Sequence, residues 1–372
     1  MRLAIFGLAI SSSWGNGHAT LWRGLCKALA RAGHHVTFFE RDREWYANAR
    51  DWPADAQPGI ELVIYPGWRD VRTRARRELG AADVAIVTSY CPDAVAARTE
   101  IVDHGGPLPV FYDLDSPVTL ARLAAGEPVD YLDDRLLRDY ALVLSYAGGR
   151  ALDEMRDMLG AGHVEPLYGH VDPGIHRPVR PEPRYAADLS WLGTYAADRQ
   201  AALDALFLEP ARRSPTRRFL IAGAQYPADF AWGPNVWFIP HLAPSEHAAF
   251  ICSSRLTLNV TRGPMVRTGW CPSGRLFEAA ACGAAVLPEL GGWHLAAFYR
   301  PGFEVLAAGD GRHTLEALEL PDETLQRIGR RARERTLDEH TSEHRARELV
   351  ALLERGRGPG AAPRTPSSVA ET

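Results

Sequence analysis

Lysine is nearly missing from this 372-residue chain: of its 42 basic residues, only Lys27 is a lysine. Without a Gly-Lys-Ser/Thr sequence there is no phosphate-binding P-loop, and only one side chain is available for Schiff-base chemistry. Cysteine is sparse. Cys26, Cys91, Cys252, Cys271 and Cys282 are scattered, odd in number and never spaced C-x-x-C. That pattern excludes a zinc ribbon or a disulfide framework and points to a reducing, cytoplasmic setting. No apolar run approaches the ~18 residues of a membrane span. The apolar N-terminus turns polar after about eight residues, so it reads as a first strand and not as a signal peptide. The net charge of −4 lacks the positive excess that a nucleic-acid partner attracts. The G-x-G-x-x-G of nicotinamide-binding domains is absent as well. Gly15-x-Gly17 comes late in its loop, and no acidic residue is placed for a ribose.

What is present is a globular composition, 46% hydrophobic and 24% charged, at a length sufficient for two α/β domains. Arg2 to Leu8 forms a short apolar run, and Ala9 to His18 a polar glycine loop. Ala19 to Ala32 carries a helical period through Leu21, Leu25, Ala28 and Leu29 and stops at Gly33. His35 to Glu40 completes a βαβ unit. Further strands are expected at Glu61–Tyr65, Asp83–Thr88, Pro109–Tyr112 and Tyr140–Ser145, each running into a polar segment. This alternation predicts a doubly wound parallel sheet with its ligands at the carboxyl ends of the strands. Residues 171–186, rich in proline, read as an interdomain linker between a first domain at 1–170 and a second at 187–335. The strand pattern restarts at Asp188–Leu192, Phe219–Gly223, Val236–Ile239 and Arg255–Val260. Thr324 to Glu354 is Arg/Glu-rich and expected to be helical. Its charges alternate in sign, which favours a solvated helix over a nucleic-acid surface. Residues 355–372 are Gly/Pro/Ala/Ser-rich and expected to be a disordered tail.

The most informative stretch is Cys271–Leu287. Pro272 suits a helix entrance, Ser273 can cap it, Leu276 and Phe277 pack it, Gly283 ends it, and Ala285-Val286-Leu287 follows as a buried strand. A helix N-terminus at the lip of a parallel sheet offers unpaired N–H groups and a positive dipole end, a site for a phosphate or diphosphate. Glu278 lies about one turn further in, where its carboxylate could accept hydrogen bonds from sugar hydroxyls. An ordinary helix–strand unit with a surface glutamate accounts for the same pattern.

Five stretches in order carry a resemblance: Phe6–Thr20 with its Gly15-Asn16-Gly17-His18 loop, Phe38–Asp42, Phe111–Asp115, Leu192–Gln200 and Pro272–Gly283. Together they resemble the GT-B glycosyltransferases, more narrowly the CgeB-like (spore maturation protein) group, over Met1 to about Glu354. The resemblance implies a GT-B fold, two Rossmann-like domains facing across a cleft, with acceptor bound by the first and nucleotide-sugar by the second. It implies a terminal helix at 336–354 that crosses back to the first domain. It places the donor diphosphate against Ser273, Gly274 and Arg275 and the nucleotide ribose on Glu278. Retaining enzymes with this helix often carry a second glutamate eight residues before it. Trp270 stands there, a departure that weakens the carry-over of retaining stereochemistry and leaves inverting and retaining reactions both open.

His18 sits at a loop–helix junction, where an imidazole could take an acceptor proton near neutral pH or hold the loop through backbone bonds. Asp113 and Asp115 follow a buried strand; either could orient His18 or act as base, or form an Asx-turn. Gly15, Asn16 and Gly17 shape the acceptor loop, the glycines permitting close approach and positive φ. Thr194, Tyr195 and Arg199 follow the first strand of the second half. Arg262 and Arg267 precede the candidate donor helix and could neutralise a leaving diphosphate. His241 and Leu242 are expected to line the base pocket. No essential metal and no cofactor are expected beyond the nucleoside diphosphate sugar. Besides that donor, the expected partner is a small-molecule or glycan acceptor. The expected activity is therefore metal-independent glycosyl transfer. A nucleotide-sugar 2-epimerase of the same fold and a non-catalytic nucleotide-sugar-binding protein are the alternatives.

Overall fold

The computed structural model describes residues 1–53, 57–290 and 295–358. Seven strands form the first sheet: β1 (Arg2–Gly7), β2 (His35–Arg41), β3 (Ile60–Tyr65), β4 (Val84–Thr88), β5 (Leu108–Asp113), β6 (Leu142–Ser145) and β7 (Val164–Pro166). Their order is β3-β2-β1-β4-β5-β6-β7, and every pairing is parallel. The second sheet has β8 (Ala187–Leu192), β9 (Phe219–Ala222), β10 (Val236–Ile239), β11 (Ser254–Asn259) and β12 (Ala285–Pro288) in the order β10-β9-β8-β11-β12, again all parallel. Each sheet is thus doubly wound, with strand order reversing between β1 and β4 and between β8 and β11. At such a switch point the flanking helices lie on opposite faces, and a crevice opens at the carboxyl ends. Among the described residues, no helix is long and apolar enough to cross a membrane.

The strands predicted from apolar runs appear within one or two residues. The exception is β7, three residues long and without an apolar run of its own. The first core stacks Phe6 on Phe39 at 4.7 Å and sets Trp22 edge-on to Phe38 and Tyr112. The second is built from Leu189, Trp191, Phe207, Phe219, Ile221, Leu256 and Leu287.

The chain divides into two compact units, Met1–Tyr168 with the segment from Arg345 onward, and Gly169–His344. Residues 171–186 are not a free linker, because they are bonded into the second unit. Val171 bridges in parallel to Thr341, His170 Nδ1 lies 3.0 Å from Ser342 Oγ, and buried Tyr185 donates to Glu246 at 2.8 Å. The same bridge breaks the expected long helix in two, Asp322–Glu339 and Ser342–Arg357. The His340 carbonyl accepts from Val171 N at 3.0 Å, and Val171 O accepts from Ser342 N at 2.8 Å. The last helix therefore starts at Ser342 and not at 336, and its residues from Arg345 group with the first unit. It runs to Arg357, so the expected tail is helical at its start; residues 359–372 lie outside the described residues.

The Asp322–Glu339 helix crosses close to the end of the Gly274–Ala281 helix at Gly329. A Cβ at Gly329 would collide with the backbone carbonyl of Gly283, which cannot swing aside as a side chain can. Gly329→Ala is expected to destabilise the second unit by about 1–3 kcal/mol through overpacking. Urea unfolding checks this, and an unchanged midpoint would show that the helices part without strain.

Candidate functional site

In the first unit, three loops meet at the carboxyl ends of β1, β4 and β5. The β1 loop is held from beneath by Glu40, wholly buried at the end of β2, which accepts from Ile10 N at 2.8 Å and Ser11 N at 2.9 Å. Arg23 donates to the Ile10 carbonyl at 2.8 Å and pairs with Asp51. Asn16, also buried, donates through Nδ2 to Ala9 O at 3.0 Å and accepts from His18 N through Oδ1 at 3.1 Å. Gly15 has φ +60, a left-handed conformation that suits glycine. Gly17 is otherwise: its φ is −66, and a Cβ there would meet nothing within 4 Å among the described residues. The loop does not need glycine at that position for conformation or for space.

His18 opens the His18–Arg31 helix, half-buried, with Nε2 3.8 Å from Asp115 Oδ2. The same oxygen accepts from the Tyr90 hydroxyl at 2.9 Å. Tyr90 has φ +63, a conformation costly for a bulky residue, and its ring lies 5.8 Å from that of His18. Asp113 is engaged in a turn with Asp115. Its carboxylate has no exposed surface, and Oδ1 accepts from Asp115 N at 2.9 Å, the Asx-turn alternative. Burial pushes this carboxyl up to about 6, against the nearby Thr119 hydroxyl and the Asp115 backbone N–H, which pull it down. The carboxylate brought to the histidine is Asp115.

In the second unit, Ser273 caps the Gly274–Ala281 helix, its side chain accepting from Arg275 N at 3.3 Å. Gly274 is the first helical residue. Arg275 NH1 donates to the Glu278 carboxylate and to His247 Nδ1, the latter at 3.0 Å. Arginine has no acceptor, so His247 must present an unprotonated Nδ1 and donate from Nε2 to Leu242 O, 3.2 Å away. Burial, and then the charge of Arg275, hold this imidazole well below its ordinary range. His176 Nε2 lies 3.8 Å from Glu278 Oε2, and neither of its ring nitrogens has a hydrogen-bond partner among the described residues. Burial lowers its pKa too. His247 and His176 were not among the sequence candidates; nothing in their local sequence marks them. The predicted His241 is exposed, and Leu242 contributes its carbonyl, its side chain being packed in the interior.

His176, His247 and Glu278 place one ligand-type atom each within 4.8 Å of the others, all buried. They do not fit a cation. Both His247 nitrogens are engaged, and the guanidinium of Arg275 already puts a positive charge against two of the three groups.

The remaining candidates surround the switch point of this sheet. Arg199 folds back to donate to the Thr194 carbonyl and lies 5.4 Å over the Trp191 ring. Burial lowers its pKa, and the charges of Arg262 and Arg275 act in the same direction, so the three guanidiniums share one neighbourhood. Arg262 pairs with Asp198 at 3.0 Å, whereas Arg267 is exposed. Tyr195 packs edge-on to Tyr226 and Phe230. Trp270 has φ +51 beside Gly269 at φ +71, a sharp turn just ahead of the capped helix. Asn259 and Thr261, buried at the end of β11, keep side-chain polar atoms without hydrogen-bond partners among the described residues.

The model of a glycosyl transferase-like family matches residues 199–351, within the second unit and into the last helix. No curated protein sequence matches the chain. Solved structures do. Sucrose-phosphate synthase from Thermosynechococcus elongatus superposes with a TM-score of 0.65 at 14% identity, over 95% of this chain and 98% of that one. Anabaena HepE, in complex with UDP and glucose, gives 0.65 at 13%, over 95% and 99%. An α-glucosyltransferase solved with UDP and a 13-mer DNA gives 0.65 at 13%, over 95% and 99%. The fold is the GT-B fold of these glycosyltransferases.

The raised carboxyl of Asp113 has a signature in stability. It binds its proton more tightly in the folded chain, so its contribution is fully present below about 3.8 and is lost as pH rises through about 6. The loss is on the order of 3 kcal/mol. Asp113→Asn should flatten this decline between pH 4 and 7 in urea midpoints. A variant as pH-dependent as the parent would place the proton elsewhere.

Proposed function

We propose that the chain transfers a glycosyl group from a nucleoside diphosphate sugar to a hydroxyl-bearing acceptor, with uridine diphosphate as the donor nucleotide. The observation that carries this is the Ser273-capped helix start with Arg275 and buried Glu278, lying in the segment that matches the glycosyl transferase-like family. The helix N-terminus and Arg275 bind the diphosphate, and Arg199 and Arg262 add positive charge nearby. Glu278 accepts hydrogen bonds from the ribose hydroxyls. UDP is the nucleotide in HepE and in the α-glucosyltransferase, which supports this choice. The finer likeness to CgeB-like enzymes, read from the motifs, is part of the same proposal.

In the proposed step, the acceptor oxygen attacks the anomeric carbon. The bond from that carbon to the diphosphate oxygen breaks, and the acceptor proton passes to His18. Asp115 beside His18 favours the imidazolium so formed, and Tyr90 holds Asp115 in place. A single displacement of this kind inverts the anomeric centre, and the tryptophan at position 270 supplies no carboxylate for the retaining alternative. The charge on the departing diphosphate is met by arginine and helix N–H groups, with no cation assigned to it. The acceptor is proposed to be a small molecule or glycan. Net charge alone does not exclude DNA, because the α-glucosyltransferase of the same fold was solved with DNA.

His18→Ala should lower kcat by about 10²–10⁴-fold with little change in UDP binding, as loss of a general base does. Glu278→Gln should weaken UDP binding measured by calorimetry, and EDTA should leave the rate unchanged. Failure of any nucleoside diphosphate to raise the melting temperature would overturn the central claim. Epimer formation from UDP-sugar without acceptor would replace transfer by epimerisation.

A further inference from the structure

Two of the five cysteines meet in the second unit although nothing in the sequence pairs them. Cys252 is the last residue of the Pro244–Cys252 helix, and Cys282 follows the last turn of the Gly274–Ala281 helix. Cys252 Sγ lies 3.6 Å from the Cys282 carbonyl oxygen and 3.9 Å from that of Arg177. Cys252 is half-buried, whereas Cys282 is 4% exposed. A half-buried cysteine beside a buried one is the arrangement of an attacking and a resolving cysteine.

We propose that Cys252 and Cys282 form a reversible dithiol–disulfide pair, oxidised by a small disulfide such as glutathione disulfide. The Cys252 thiolate attacks one sulfur of the reagent, and a thiolate leaves. Cys282 then gives its proton to that leaving thiolate and attacks the Cys252 sulfur, expelling the second half of the reagent. Two protein thiols are oxidised, and one disulfide is reduced to two thiols.

The electrostatics agree with this division of labour. The neighbouring Cys282 side chain lowers the Cys252 thiol, against burial, which favours Cys252 as the attacking group. The Cys252 side chain, then burial, pushes Cys282 up. The other cysteines are poor competitors. Cys26, Cys91 and Cys271 are each at most 1% exposed, and burial pushes Cys91 up to about 12 and raises Cys26 as well. The bond would tie the helix that carries His247 to the helix that carries Arg275 and Glu278, at the end opposite the cap.

The test uses the folded full-length chain with glutathione disulfide near neutral pH, followed by peptide mapping without reduction. The expected product is a Cys252–Cys282 cross-link, two hydrogens lighter than the dithiol and reversed by dithiothreitol. Cys282→Ser should instead leave glutathione stably attached to Cys252. Its alkylation by iodoacetamide at pH 7 should slow on the order of tenfold, as the thiolate ionisation returns towards its ordinary range. Cross-links that involve Cys26, Cys91 or Cys271 would overturn the proposal. So would a parent chain that accumulates the Cys252–glutathione adduct as stably as the variant. The parent-chain experiment needs no substitution, so a folding defect in the serine variant does not remove the test.

Discussion

A parallel strand delivers its chain to the same edge of the sheet as its neighbours. Every pairing in both sheets is parallel, so all the loops that leave the strands collect along one edge of each sheet. This constraint turns a sequence with few motifs into two concentrated sites. His18, Tyr90 and Asp115 come from loops after different strands, β1, β4 and β5, and meet only because those strands lie side by side. In the second sheet the loops after β8 and β11 flank the switch point, which is why Asp198 and Arg262 can pair across it.

Position alone does not give a rigid site; the loops must also be held. Burying Glu40 without partners would be costly, but it receives two backbone N–H groups and the Ser11 hydroxyl, so its charge is spread over hydrogen bonds. The β1 loop gains a fixed floor, and His18 gains a fixed starting point for its helix. In the second unit the corresponding role falls to Arg275, which bonds a carboxylate and an imidazole from two helices. There the anchor is itself a candidate ligand group, so binding an anion would redistribute bonds already made.

Much of this architecture could be read from local sequence because its signals are local. Apolar runs gave the strands, and Ser273 gave a cap that forms as expected. What could not be read depends on tertiary placement. Asp113 and Asp115 are chemically alike, and only the folded turn shows that Asp115 lies beside His18 while Asp113 accepts from Asp115 N. His176, His247 and Glu278 are far apart in the chain and become neighbours only when the second sheet forms. The break at His340 had no glycine or proline to announce it; it follows from a bridge to a residue far upstream. A run as short as β7 carries too little pattern to distinguish it from a loop.

That bridge between Val171 and Thr341 also says something about the gene. The chain enters the second unit near Gly169 and leaves it near His344, and the two crossings are hydrogen-bonded to each other. Residues 169–344 are therefore a continuous excursion whose ends nearly touch, while the first unit is assembled from both ends of the polypeptide. Such a segment can be excised, exchanged or re-joined end to end without cutting its own core. The first unit has no equivalent cut. On the ribosome its sheet can form early, but its last helix arrives only after the whole second unit has been made.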